Sequence, residues 1–236
     1  MQKILGSLRK ACEKYNLIEE GDKICVGLSG GKDSLMLLSA LARFQTFSPK
    51  KFTLEAVAVD LTGGKNDYSN IQKFCNEIEV PLTIVPSNVF EVVFDIRKEK
   101  NPCSLCANMR RGLLNSTAKS LDCNKVALGH HKDDLIETFL ISLFFEGRLS
   151  TFKPMSYLSK TDLHIIRPLI YCDEEDIIKA SKDLPVLHNI CPADKHTERE
   201  NAKSILKDLN KLYPNSKEKI FNAIIHEGRY NLFDQM

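Results

Sequence analysis

The segment Leu28-Ser29-Gly30-Gly31-Lys32-Asp33-Ser34 constrains this chain more than any other. It follows an apolar run at 24–28 and precedes an apolar-periodic stretch at 35–41. That order reads strand, glycine-rich loop, helix. The first N–H groups of a helix have no intrahelical acceptor, and the helix dipole favours negative charge beside them. A strand turning into a helix through two glycines is therefore an anion cradle. The loop is too short for a Walker A loop, which needs four residues between its glycines and then Lys-Ser/Thr. It also lacks the spacing of a dinucleotide fingerprint. The plainer reading is a tight turn in which Asp33 or Ser34 only caps the helix.

Around this loop the first half of the chain alternates strand and helix. Strands are predicted at 24–28, 52–59, 82–85, 125–128 and 163–167. Helices are predicted at 2–18, 33–44, 69–79, 104–121 and 133–145, with 147–163 as a loop. Asp173 is expected to cap a further helix whose first turn is acidic. The segment 194–226 reads as two helices broken near Pro214. The unbroken apolar run at 56–59 suits a parallel sheet buried on both faces. Repeated β–α units predict an α/β fold, a doubly wound parallel sheet with right-handed crossovers and a helical C-terminal extension. The expected domains are an N-terminal helix at 1–20, a loop-bearing domain at 21–172, and an extension at 173–236 that carries Cys191. Ligands of such sheets bind at the carboxyl ends of the strands. The loop lies at such an end, as do Asp60 after the second strand and Gly129-His130-His131 after the fourth. No run of about eighteen apolar residues is present, so no membrane span is expected. The N-terminus lacks the apolar core of a signal peptide, which points to the cytoplasm.

Eight cysteines in a reducing compartment stay mostly as thiols. Cys12, Cys25, Cys75, Cys123 and Cys172 are scattered singly and read as small core hydrophobes. Cys103 and Cys106 form a CxxC, and Cys191 lies far downstream. Four arrangements fit them. Three thiolates can hold an iron–sulfur cluster and leave one iron without a protein ligand. With His188 they can hold a structural zinc ion. Cys103 and Cys106 can form a redox dithiol. All three can also be inert. The formal net charge is only +2, but 97–119 carries Arg97, Lys98, Lys100, Arg110, Arg111 and Lys119 against Glu99 alone. That is a surface for phosphates or a solvated helix face. Arg199 and Lys203, one helical turn apart, face the same choice, with the solvated face expected. Arg167, at a strand end, suits either a phosphate or an acid.

The hexapeptide Ser29–Ser34 resembles the PP-loop of the N-type ATP pyrophosphatases. Cys103-Ser104-Leu105-Cys106, Arg110-Arg111-Gly112-Leu113-Leu114, Ala127-Leu128-Gly129-His130-His131-Lys132-Asp133-Asp134 and Ile166-Arg167-Pro168-Leu169-Ile170-Tyr171-Cys172 are similar to the tRNA 2-thiocytidine synthetase family. The similarity runs from Ile18-Glu19-Glu20-Gly21-Asp22 to Asn231-Leu232-Phe233-Asp234. It implies an enzyme that splits ATP between its α and β phosphates, adenylates a pyrimidine in tRNA, and replaces the activated oxygen with sulfur. It implies ATP, Mg²⁺ and a [4Fe–4S] cluster held by Cys103, Cys106 and Cys191. Ser29, Gly30, Gly31, Lys32, Asp33, Ser34, Asp60, Gly129, His131 and Asp134 would then line the nucleotide site. Asp33 and the three cysteines would carry the chemistry. The implied partners are tRNA, a sulfur donor (hydrosulfide, or a persulfide carrier such as a cysteine desulfurase) and a second copy of the chain. Family members often carry a second CxxC around the downstream ligand, where this chain has His188 or Asn189. The segment 61–68 and a shorter tail also depart from the family. Three alternatives stay open. One is a PP-loop thiolase for another RNA position or a free base. Another is an amidating or ligating enzyme with structural zinc. The third is a nucleotide-binding regulator or sulfur carrier. The CxxC with Cys191 favours sulfur chemistry over amidation, and the intact loop favours an enzyme over a carrier.

Overall fold

The computed structural model describes residues 1–98, 102–187, 191 and 198–226. Glu99, Lys100, His188, Asn189 and the tail motif at 231–234 lie outside the described residues. The strands are β1 (Asp22–Leu28), β2 (Phe52–Asp60), β3 (Leu82–Pro86), β4 (Lys125–Ala127), β5 (Met155–Leu158) and β6 (Leu163–Ile166). They form one sheet in the order β3-β2-β1-β4-β6-β5. Every pair is parallel except β5 with β6. Val26 stands opposite both Ala56 and Ala127, so β1, β2 and β4 end side by side. From β1 the chain moves outward to β2 and β3, then returns to β4 on the other side of β1. The gap between β1 and β4 is thus the topological switch point where α/β sheets bind ligands.

One expectation needs correcting. Residues 147–163 are not all loop, because Met155–Leu158 forms an antiparallel edge strand on β6. The turn between them uses Asp162 at φ 51°. Four residues with an exposed Tyr157 carry too little alternation to mark a strand; the pairing with β6 makes it one. A π-helical turn at Glu91–Ile96 also has no signal in the residue pattern.

Helices cover both faces of the sheet. From α4 (Pro102–Ser120), Leu114 and Ala118 pack on Cys25, Val57, Val126 and Ile165. Gly27 permits this approach, since a Cβ there would lie 2.7 Å from Leu114 Cδ2. On the other side, α2 (Lys32–Gln45) is held among β1, α1 (Gln2–Tyr15) and α6 (Glu174–Ala180). Its Leu35, Leu37, Leu38 and Leu41 are fully buried. At about 2 kcal/mol per leucine, α2 is anchored independently of the loop that starts it. The remaining helices of this region are α3 (Ser69–Glu77), beside β2 and β3 in the chain, and the short α6.

The chain divides into two compact units, Met1–His131 with Lys153–Ala193, and Lys132–Phe152 with Asp194–Met236. The first holds the sheet. In the second, α5 (Lys132–Glu146), α7 (Glu198–Leu212) and α8 (Ser216–Ile225) pack together. The acidic start of α5 is neutralised within that unit. Lys217 meets Asp133 at 2.6 Å, and Arg199 meets Asp134 at 2.7 Å. Arg199 and Lys203 also flank buried Glu137 at 3.8 and 4.0 Å. These two cations therefore brace α7 on α5 while staying partly in solvent, as the solvated-face reading expects. No helix among the described residues is long and apolar enough to cross a membrane.

Candidate functional site

β1 delivers Ser29 to the carboxyl edge of the sheet, and the chain then turns sharply. Gly30 has φ +82°, a left-handed conformation that glycine adopts without strain. A Cβ there would also strike Leu187 Cδ1 at 2.7 Å. Leu187 N donates to Gly30 O at 2.9 Å, so the two segments are fastened together. The serines are struts within the loop. Ser34 Oγ donates to Gly31 O at 2.9 Å and accepts from Ser29 N at 3.0 Å. Gly31 N donates to Ser29 Oγ at 3.2 Å. Gly31 is the N-cap of α2, and no side chain caps the helix. The capping role open to Asp33 or Ser34 is therefore not taken, and the first turn of α2 keeps the character of an anion cradle.

Lys32 is half-buried. Its Nζ lies 3.1 Å from Asp33 Oδ2 and 3.0 Å from Glu174 Oε1 at the start of α6. Burial works against its charge, but the two carboxylates outweigh burial and its pKa is raised. Asp33 Oδ1 is buried without a hydrogen-bond partner among the described residues. Buried His131 Nε2 stands 3.7 Å from it. Gly129 brings the chain after β4 against this turn. A Cβ on Gly129 would lie 2.9 Å from both the carbonyl carbon and oxygen of Asp33.

Asp60 ends β2, almost wholly buried, and organises the loop that follows. Its carboxylate accepts from Thr62 N (3.1 Å), Thr62 Oγ1 (2.7 Å), Gly64 N (2.6 Å) and Asn66 Nδ2 (3.3 Å). Asp60, Gly64, Asn66, Tyr68, Gln72 and Ile84 line a cavity of ≈ 520 Å³. Asp60→Ala strands several donors at once and should destabilise the protein by about 3 kcal/mol. Chemical denaturation measures this, and a loss below about 1 kcal/mol would mean the loop holds its shape without the carboxylate.

The cysteines separate as their spacing suggests. Cys12, Cys25, Cys75, Cys123 and Cys172 are buried. Burial pushes the Cys12 thiol up to about 12 and those of Cys75 and Cys123 up to about 11, so they stay protonated and inert. Cys103 is exposed, while Cys106 and Cys191 are half-buried. The Cys106 thiol is pushed up first by burial and then by Cys191; Arg110 opposes this and Cys103 adds to it. The three sulfurs thus share one neighbourhood with one cation. Among the described residues no three His, Cys, Asp or Glu side chains converge closely enough to hold a single metal ion. Cys106 is thus the sulfur on which both other thiols and one guanidinium act. The guanidinium beside them complements the negative charge such a set carries.

Arg110 is the member of the basic segment 97–119 that turns inward. Its Nη2 donates to Leu28 O at 3.2 Å, at the mouth of the loop. Burial lowers its pKa, Cys106 and Tyr68 raise it, and the net shift is downward; the guanidinium stays charged regardless. Arg111 bonds to Ala107 O and Asn108 Oδ1 of its own helix, and Lys119 meets Asp162 at 3.3 Å. Arg111 keeps its charge on the exposed side of the helix, whereas Arg110 turns inward and the charge of Lys119 is shared with Asp162.

Ser29–Ser34, Asp60, Gly129, His131, Cys103, Cys106 and Cys191 therefore all belong to the sheet-bearing unit. Asp134 belongs to the other unit, where it pairs with Arg199. Arg167, at the end of β6, has its pKa lowered to about 10 by burial and donates to Lys153 O at 2.6 Å. Sequence reasoning passed over Glu174, whose acidic turn suits a helix dipole equally well, and Leu187, which has no motif at all.

Comparison with known proteins agrees with this architecture. Residues 2–189 match the family model described as the PP-loop domain. The chain is 38% identical over 245 aligned positions to a tRNA-cytidine(32) 2-sulfurtransferase of Cytophaga hutchinsonii, covering 99% of this chain and 85% of the relative. It is 36% identical over 242 positions to the protein of that name from Aliivibrio fischeri, covering 99% and 79%. Among solved structures it resembles the U34-tRNA thiolase NcsA from Methanococcus maripaludis with its [4Fe-4S] cluster. That match has a TM-score of 0.72 and 26% identity, covering 93% of this chain and 76% of the other. The NH3-dependent NAD synthetase from Campylobacter jejuni shares the fold, with a TM-score of 0.51, 16% identity, and coverage of 98% and 97%. With the loop, the switch point and these relatives in agreement, the chain belongs to the PP-loop family, in the branch of the tRNA-cytidine(32) 2-sulfurtransferases.

Proposed function

We propose that this chain is an ATP-dependent, [4Fe–4S]-dependent sulfurtransferase that converts cytidine 32 of tRNA to 2-thiocytidine in the cytoplasm. Arg110 carries the reading. One guanidinium reaches the carbonyl at the mouth of the loop and shares its field with Cys106, which links the nucleotide cradle to the CxxC through a single residue. The first turn of α2 receives the phosphates, with Ser29 and Ser34 holding the loop's shape. Lys32 adds charge, and buried Asp33 Oδ1 suits Mg²⁺, which neutralises the triphosphate. The cavity bounded by Asp60 and Tyr68 accepts the nucleoside end.

The base's C2 oxygen attacks the α-phosphorus and pyrophosphate leaves, a step that needs positioning and charge stabilisation. A sulfur nucleophile then attacks C2, and the oxygen departs with AMP. With hydrosulfide the product is C2=S, AMP and one proton, with no change of oxidation state. A [4Fe–4S] cluster held by Cys103, Cys106 and Cys191 would supply an open iron that binds sulfur. The donor is hydrosulfide, or a persulfide carrier such as a cysteine desulfurase whose outer sulfur is released as sulfide by two electrons from a thiol reductant, which leaves as disulfide. A homodimer is consistent with exposed Phe144, Phe145 and Leu149.

Nucleoside analysis of tRNA from a strain lacking the gene tests this reading. 2-Thiocytidine should vanish and return on complementation; its persistence would overturn the assignment. The purified protein should release AMP and pyrophosphate, and ADP with phosphate as the only products would contradict the mechanism. Asp33→Ala should abolish turnover and leave the iron content intact, because loop and thiols use different residues.

A further inference from the structure

α1 buries Ile4, Leu8, Ala11 and Cys12 and turns a different face outward. Lys3, Gly6, Lys10 and Lys14 fall three, four and four residues apart, along one flank of the helix. The helix has one acid, Glu13, and Arg9 takes it at 2.6 Å. Lys3 reaches Asp176 at 3.3 Å. Lys10 and Lys14 lie over aromatic rings. Lys10 Nζ sits 4.8 Å from the Tyr171 centroid, and Lys14 Nζ sits 5.3 Å from Tyr15 and 5.8 Å from Tyr171. The two tyrosines are stacked at 6.0 Å, and their hydroxyls meet at 2.9 Å. A ring attracts an ammonium without neutralising it. The two charges are therefore held in place and still available to an external anion.

Gly6 is the second observation. It sits exposed in the interior of α1, where glycine costs about 1 kcal/mol relative to alanine. A Cβ at Gly6 would meet nothing within 4 Å. Nothing inside the molecule requires a glycine there, and its lack of a side chain leaves the helix backbone open to close approach from outside. Gly6, Arg9, Lys10, Glu13 and Lys14 border an open hollow of ≈ 510 Å³, with Glu13 held by Arg9.

We propose that this flank of α1 docks the sugar–phosphate backbone of tRNA, with Gly6 clearing space for the strand and Lys10 and Lys14 contacting its phosphates. The inference rests on the reading of tRNA as substrate. α1 carries four cations against Glu13, and once Arg9 has met Glu13 and Lys3 has met Asp176, Lys10 and Lys14 remain beside the open hollow as the complement a polyanion needs.

The test uses the full, cluster-loaded protein and an unmodified tRNA transcript. Lys10→Ala with Lys14→Ala should weaken binding roughly tenfold at physiological salt and flatten the slope of log affinity against log salt by about 1.8. Gly6→Gln should raise the melting temperature and still weaken tRNA binding several-fold. ATP affinity should not change in either variant. Unchanged tRNA affinity in both would overturn the proposal. So would a loss that is equal at every salt concentration, which signals a damaged fold. Retained tRNA affinity with lost sulfur transfer would give the strip to a protein sulfur donor and overturn it too. Failure of the unaltered protein to bind tRNA would sink the thiolation reading and the strip together. Normal binding with unaffected variants would sink the strip alone.

Discussion

Serine at Cys191 should strip most of the iron from the protein and end thiolation. Cys191 is the least obvious of the three thiols, with no second cysteine nearby in sequence. It nevertheless shares one electrostatic neighbourhood with Cys106 and Cys103. A hydroxyl does not replace a thiolate toward iron, and with three protein ligands each is indispensable. Cys103→Ser and Cys106→Ser should behave alike. Cys75→Ala is the control, because that buried thiol is protonated at every working pH and should leave the iron untouched. Iron analysis and the visible absorption band read the outcome. Full iron occupancy in Cys191→Ser would refute the three-cysteine site. Stoichiometric zinc and no iron after anaerobic reconstitution would favour the zinc arrangement.

Gly129→Ala should cost two to three orders of magnitude in ATP turnover for one added methyl group. That Cβ would lie 2.9 Å from backbone atoms of Asp33 and 3.0 Å from Ser34 N. Backbone cannot swing aside as a side-chain tip can. α2 cannot retreat either, since its buried leucines hold it with roughly 8 kcal/mol of transfer free energy. The strain therefore goes into the cradle, and misplacement by about 1 Å costs about 10² in rate. Overpacking should lower stability by only about 1–3 kcal/mol, so the variant stays folded and keeps its iron. Pyrophosphate release at the parental rate would show that the turn after β4 tolerates the contact.

The nucleotide edge was readable in the residues because local and global signals coincide there. An apolar run, two glycines and a 3.6-residue period fix the turn at 29–34, and repeated β–α units force Asp60 and Gly129 to the same edge. What escaped is decided by contacts. β5 exists because β6 pairs with it. Arg110 counts as one more positive charge until its guanidinium is seen at Leu28 O. Glu174 satisfies a helix dipole equally well whether or not it clasps Lys32. Asp134 follows a motif that suits a ligand site, yet its partner is an arginine some sixty residues later that no pattern connects to it.

The bond from Leu187 to Gly30 clamps the nucleotide loop at the residue whose left-handed backbone suits glycine alone. Together with the serine struts it gives the loop its shape before any nucleotide arrives. A loop already shaped has little ordering entropy left to lose on binding, so more of each phosphate contact survives as affinity.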